Sequence, residues 1–516
     1  MKDLLWRIAR LFIVLVVVGL WSLPRQVTAQ LTGITWHTGV QVQNLSQTAP
    51  TTITLTFYDS TGAVYATLPA DGQPPETIAA GASKTYNTVL DTMLGSSFTG
   101  SASISADLPI ATIFNILGNG TSYSGSVQGV PGESASAIVS LPLVQSTGSG
   151  IETWFTVQNA GSVATTVKVS FIHGSFGTDY SFTDTIPANA AKTYQTTDYQ
   201  AATGASLGGR FTGSATVEST NGQPLAVVVN QVGLGSVKVQ NSYAGFGSMA
   251  ASTNVSLPLI QNGNGNVSNP NQTGIAIKNT GATTTTVNMS FTPNTAKSGG
   301  VPVAFAPPAV AQITLGPGAA TTYLTGRSTT VTTTMTGFGA NDVAHRYVGS
   351  AIITSTLPIV VVVNQQSMTT GSSYEGFRSG ASSTGSTTVS APLLVSNNSS
   401  NKLYTGFQCQ NVGNVPTKIK VVYGANAASG ATFVPPTSAA ATEAEVPAGG
   451  SFRRLQNVVA DGWPASTSTD RYVGSGVFTS TPATGQTVAQ PIICVINYTS
   501  DLASGDALMT YDGINF

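Results

Sequence analysis

Charge is the scarcest property of this chain. Its 516 residues hold 20 Lys and Arg and 21 Asp and Glu, 8% charged against roughly a quarter in ordinary proteins. The two signs balance and no Lys/Arg cluster occurs, which removes the electrostatic footprint expected of a nucleic-acid binder or of a protein held on an anionic membrane. Histidine is nearly absent as well: His37, His173 and His345 stand at unrelated places, so no pair has metal-ligand spacing. No Asp/Asn loop has calcium-binding spacing, and no pair of carboxylates suggests acid–base chemistry. After the first 21 residues no long apolar run recurs, and the final Tyr511-Asp512-Gly513-Ile514-Asn515-Phe516 carries no sorting or lipidation signal. These absences point away from an enzyme, a cofactor or metal site, and a membrane span in the mature chain.

What is present begins with an export signal. Lys2, Arg7 and Arg10 precede the apolar run Leu11 to Trp21, and Val27-Thr28-Ala29 has the small-residue pattern of a signal peptidase site. A mature chain starting at Gln30 is expected, secreted or held at the cell surface. The run is about half the ~20 residues a spanning helix needs, which sets the alternative of an uncleaved anchor behind cleavage. The remaining composition, 55 glycines with 41% hydrophobic residues in β-branched alternation, predicts an all-β protein.

A repeat runs four times through the chain. Its first landmark is an alternating strand ending in asparagine: Val40 to Asn44, Phe155 to Asn159, Ile275 to Asn279 and Phe407 to Asn411. A second alternating strand follows, marked by Ile53, Leu55 and Phe57 and by its counterparts through Ile419, Val421 and Tyr423. Then come a turn of the Ile186-Pro187-Ala188-Asn189-Ala190 type and a tyrosine at Tyr86, Tyr194 and Tyr323. A pair of strands reading as a hairpin follows, its return strand opened by Pro109, Pro224, Pro358 or Pro491. The last landmark is a Tyr-x-Gly element at Tyr123, Tyr243, Tyr374 and Tyr511, and Leu-Pro-Leu-like segments at Leu141, Leu257 and Ala391 open repeats two to four.

Strands of this rhythm need two packed antiparallel sheets, since one sheet leaves an apolar face wet. The pattern resembles the immunoglobulin-like tandem modules of bacterial secreted and surface proteins. That resemblance implies a fold and a location: a signal peptide over 1–29 and four Ig-like sandwiches over 30–135, 136–250, 251–383 and 384–516. Locally folded modules joined by short Gly/Ser-rich linkers, Gly247 to Thr253 and Gly380 to Thr388, predict an extended, bendable rod.

Individual residues carry further expectations. Cys409 and Cys494 fall on inward strand positions of one repeat and are expected to form a disulfide. The string Gly204-Ala205-Ser206-Leu207-Gly208 matches a nucleophile elbow but lies in a Gly/Ser-rich β context without triad partners, so no catalytic residue is assigned. Asn115, Asn230, Asn364 and Asn497 read as amides that satisfy backbone groups where strands end or bend, in preference to a ligand-contacting row. Trp36, Trp154 and Tyr404 are candidates for stacking on glycans, against the stronger expectation of core or interdomain packing. Repeat one ought to open near Leu23-Pro24, inside the signal peptide. Its loss would leave an open edge that invites strand addition from another chain.

The functional expectation is a non-enzymatic extracellular structural protein, a component of a surface layer, sheath, filament or stalk, associating with itself or with other surface components. The alternative is an adhesin that binds glycans or a surface protein through the insertions Asn294 to Pro308 and Ala425 to Glu445.

Overall fold

The computed structural model describes the backbone of residues 11–17 and, beyond it, residues 34–86, 92–95, 98–118, 122–146, 150–196, 210–233, 238–266, 268–294, 312–326, 338–379, 385–425, 431–500 and 506–515. The chain is all-β, and every strand pairing is antiparallel. Four times along it an outer and an inner sheet enclose an apolar cluster. In the second repeat the outer sheet joins an opening strand Ile138–Ser146 to Phe211–Ser219 and then to the second alternating strand Thr165–Phe176. The inner sheet joins the asparagine strand Ile151–Asn159 to a return strand Leu225–Gly233 and then to Gln240–Ala244.

The two strands read from sequence as a hairpin do not pair. Phe211–Ser219 lies in the outer sheet and Leu225–Gly233 in the inner one, so the proline turn carries the chain from one sheet to the other. Period-two alternation is the same for a hairpin and for such an arch, and only the partners of each edge distinguish them. In the third repeat the crossing needs no break. One 20-residue strand, Tyr347–Gln366, bends through both sheets and fuses them into a nine-stranded sheet. The proline's carbonyl does the anchoring: Pro109, Pro224, Pro358 and Pro491 each accept the backbone N–H that follows the conserved-position asparagine, at 2.9–3.0 Å.

That asparagine holds the corner of every repeat. Asn159 is fully buried, its amide donating to the carbonyls of Val163, Ile186 and Pro187 at 2.8–3.1 Å while its oxygen accepts the N–H of Gly161. Asn44, Asn279 and Asn411 repeat the arrangement. The turn it grips has its third residue at positive φ, which selects Gly81, Asn189, Gly318 and Gly449. In repeats two to four the opening strand carries a bulge at its proline, and the tyrosine of the Tyr-x-Gly element closes it. Tyr243 donates to Leu143 at 2.8 Å and Tyr374 to Leu259 at 2.7 Å, and Tyr511 bonds Leu393 likewise.

Repeat one differs. Its opening strand is Leu11–Val17, paired without a register shift to Gly100–Ala106 and then to Val130–Pro131. The expected opening at Leu23-Pro24 lies outside the described residues, and the strand forms instead from the first seven residues of the apolar run read as a signal sequence.

The expected rod is replaced by a closed ring. Repeat one's apolar cluster takes in Trp154, Val228 and Val232 of repeat two; repeat two's takes in Ala276, Val360 and Val362 of repeat three; repeat three's takes in Ile493 and Val495 of repeat four; and repeat four's takes in Ile113 of repeat one. Each outer sheet therefore packs on the inner sheet of the next repeat. An inner sheet buried on both faces no longer needs a polar side, so all nine residues of Leu225–Gly233 are buried. Two wet faces per junction cost more than the short linkers gain by flexing.

Candidate functional site

Ring closure brings four equivalent strands, Tyr123–Gln128, Gln240–Ala244, Gly371–Glu375 and Met509–Asp512, side by side around a common axis. Small hydroxyl residues suit this place because four edges converge there. Each strand sends one hydroxyl to the asparagine opposite it: Ser126 to Asn115 at 3.0 Å, Ser242 to Asn230 at 2.7 Å, Ser373 to Asn364 at 2.8 Å and Thr510 to Asn497 at 2.9 Å. The asparagine row is thus structural, but through cross-strand side-chain pairs and not through backbone groups at strand ends. Two of its amides reach across junctions, Asn364 to Gln231 at 2.8 Å and Asn497 to Gln365 at 2.9 Å.

Three carboxyls meet the same axis. Asp506 is fully buried, and its two oxygens accept the backbone N–H groups of Gln240 and of Gly371 at 2.5 and 2.9 Å. Its own carbonyl accepts the Ser124 hydroxyl. One residue of repeat four so holds all three other repeats. At the opposite end Glu375 accepts the N–H of Ala244, and the Glu375 N–H reaches Asp512 at 3.3 Å while Gln128 donates to the Asp512 carbonyl. Burial raises the pKa of all three carboxyls, and the neighbouring charge of Glu375 raises Asp512 further.

The Glu375–Asp512 end opens into a vestibule of about 570 Å³. The x-Gly-apolar segments of all four repeats line it: Gln128-Gly129-Val130, Ala244-Gly245-Phe246, Glu375-Gly376-Phe377 and Asp512-Gly513-Ile514. Of its carboxyls, Glu375 accepts the Ala244 N–H and Asp512 the Glu375 N–H, both across junctions. Among the described residues no group of three or more His, Cys, Asp or Glu is placed to hold a metal ion.

Other residues singled out in the sequence scatter over the molecule. Cys409 and Cys494 stand directly opposite each other in neighbouring strands and form a disulfide. Trp36 and Trp154 turn toward one another across the first junction, ring centres 6.0 Å apart, and Trp36 also lies against Tyr123. Tyr404 starts its strand in repeat four, opposite Thr499. His173 and His345 bond Asp179 and Asp342 within their own turns. The Gly204 to Gly208 string and residues 295–308 fall outside the described residues. The described part of the Ala425 to Glu445 insertion folds back on its repeat, where Arg454 donates to the carbonyls of Ala440 and Ala441 and Phe433 packs on Trp463.

One residue went unnoticed in the sequence. Lys278, 1% exposed, occupies the strand position that holds Gln43, Gln158 and Gln410 elsewhere. It crosses the junction to donate to the Ala215 carbonyl at 2.5 Å and the Thr216 hydroxyl at 2.6 Å. Burial with no compensating charge lowers its pKa from 10.5 to about 7. The signal was available: a lysine at an otherwise glutamine position beside the corner asparagine.

No protein-family profile matches the chain, and no curated protein matches it. Among solved structures, a crystal structure of Thermotoga maritima 1070 aligns over 22% of this chain and 96% of its own, at 10% identity and a TM-score of 0.19. A tetra-tandem repeat from the extending region of a large adhesion protein aligns over 92% of this chain and 93% of its own, at 11% identity and a TM-score of 0.09. Scores this low carry no statement about what the chain binds or builds.

Proposed function

We propose that the chain is a non-enzymatic structural protein of the cell exterior, part of a surface layer, sheath, filament or stalk, made of four Ig-like sandwiches over residues 30–135, 136–250, 251–383 and 384–516. The observation that supports this most is how the deepest polar groups are used. Asp506, Lys278 and the axial Asn364 and Asn497 bond other repeats instead of gathering around a substrate cavity. A near-neutral surface with few charges offers little repulsion between copies and favours close packing. The apolar N-terminal run after Lys2, Arg7 and Arg10 supports export, and cleavage after Ala29 would remove the strand Leu11–Val17 from repeat one. No described helix is long and apolar enough to cross a membrane; self-association or other surface components are the proposed means of attachment.

The test is immunogold electron microscopy of the cells that make the protein, compared with cells lacking the gene. Label in a regular array that disappears with the gene is the expected result. Label confined to the cytoplasm, or a diffuse soluble protein with no array, would overturn the proposal.

A further inference from the structure

Resting on this structural reading, we infer that the contact between repeats four and one is an exchangeable surface, on which repeat four of one copy docks onto repeat one of a second copy of this chain. All four junctions share one design, an outer sheet on the next inner sheet. The chain itself enforces three of them. The fourth joins the two ends of the sequence and has no covalent connection.

This seam is complementary but lacks the serine latch of the other three junctions; Ser124 and Gln128 of repeat one donate to the Asp506 and Asp512 carbonyls of repeat four at its axial edge. Ser390 donates to Gln43 at 2.7 Å, the Gln41 amide reaches the Pro392 carbonyl only at 3.5 Å, and Ile113 enters repeat four's cluster. At the chain-linked junctions a serine latches the next repeat's turn: Ser101 to the Asn189 carbonyl at 2.6 Å, Ser214 to Gly318 at 2.8 Å and Ser350 to Gly449 at 2.6 Å. Ser475 holds the matching position in repeat four, and among the described residues no bond joins it to the turn at Gly81. The third junction also has Gln408 donating to the Gly349 carbonyl at 3.0 Å, half an ångström shorter than its seam counterpart Gln41.

A second copy fits the seam because the surfaces already fit each other. Within one molecule the tether holds the partner surface at an effective concentration of about millimolar, so an isolated chain closes on itself. Copies crowded on a surface approach that concentration and compete. Exchange between copies is head to tail and leaves a free seam at each end, so it propagates as a filament or closes into larger rings.

The test bridges the seam covalently. Gln43→Cys combined with Ser390→Cys is joined by a short bis-maleimide, each thiol adding across one maleimide double bond, the native cysteines being already paired. Light scattering after size exclusion then follows the full chain from micromolar to millimolar concentration. The wild type and the unbridged variant are expected to show integer multiples of the monomer that grow with concentration, and bridging is expected to reduce them at least tenfold. Ile113→Asp, which places a charge in the seam, is expected to enlarge the hydrodynamic radius and abolish the multiples. Multiples that survive bridging or Ile113→Asp would overturn the inference and leave the surface-array reading standing. A wild type monomeric throughout would overturn it too, with the array still decided separately by immunogold labelling.

Discussion

The inside of one repeat and the contact between two repeats are built from the same residue types used in opposite ways. Inside a repeat, Asn159 spends its whole side chain on four backbone groups of its own corner. Between repeats, Asn364 divides itself, accepting from Ser373 and donating to Gln231 of the preceding repeat. The corner asparagine fixes one fold four times, while the axial one fixes how four copies of that fold sit together. Losses inside a repeat should therefore appear as unfolding, and losses between repeats as loosening of the ring with each repeat intact.

The largest effect should come from the cysteines of repeat four. Closing an 85-residue separation restricts the unfolded chain by between about 4 and 5 kcal/mol. Cys409→Ala with Cys494→Ala should lower the stability of repeat four by that order in denaturant titration, and an unchanged midpoint would contradict it. Lys278 tests the other side of the comparison. Unfolded, it keeps its proton to about pH 10.5, whereas in the junction it loses it near pH 7. The folded state is penalised by between about 4 and 5 kcal/mol below pH 7, and stability rises as pH increases from 7 toward 10. Lys278→Gln, the residue of three sister repeats, should raise stability near pH 7 and flatten that rise; a variant with the wild-type pH profile would refute the assignment.

Asn159→Ala strands buried carbonyls and should cost about 3 kcal/mol, read as a lower melting temperature. Asn364→Ala removes two side-chain bonds at the axis and should cost only about 1–2 kcal/mol, with faster amide exchange in Gly371–Glu375 while the corner stays protected. If the two asparagine variants behave alike, the distinction between corner and axis fails.

Much of the fold was legible. The asparagine strands, the turns and the inward cysteines follow from alternation and from residues that tolerate positive φ, because these features act within a few residues. The arch was misread as a hairpin, since pattern alone does not say which edge a strand joins. The ring was missed although Leu225 to Val229 and Ile359 to Val363 announce it: an unbroken apolar strand is buried on both faces, and a rod of separate sandwiches offers nothing to cover the second face. The same ambiguity explains Leu11–Val17, whose continuous apolar residues suit both a signal sequence and a strand paired to Gly100–Ala106. The axial carboxyls were invisible because Glu375, Asp506 and Asp512 meet only through closure.

Small-angle X-ray scattering on the purified monomer tests ring closure most directly. A compact chain of this length has a radius of gyration of about 24 Å, and four sandwiches laid end to end roughly twice that. The ring predicts the smaller value at dilute concentration; a value near the larger one, with the long scattering tail of a rod, would contradict it.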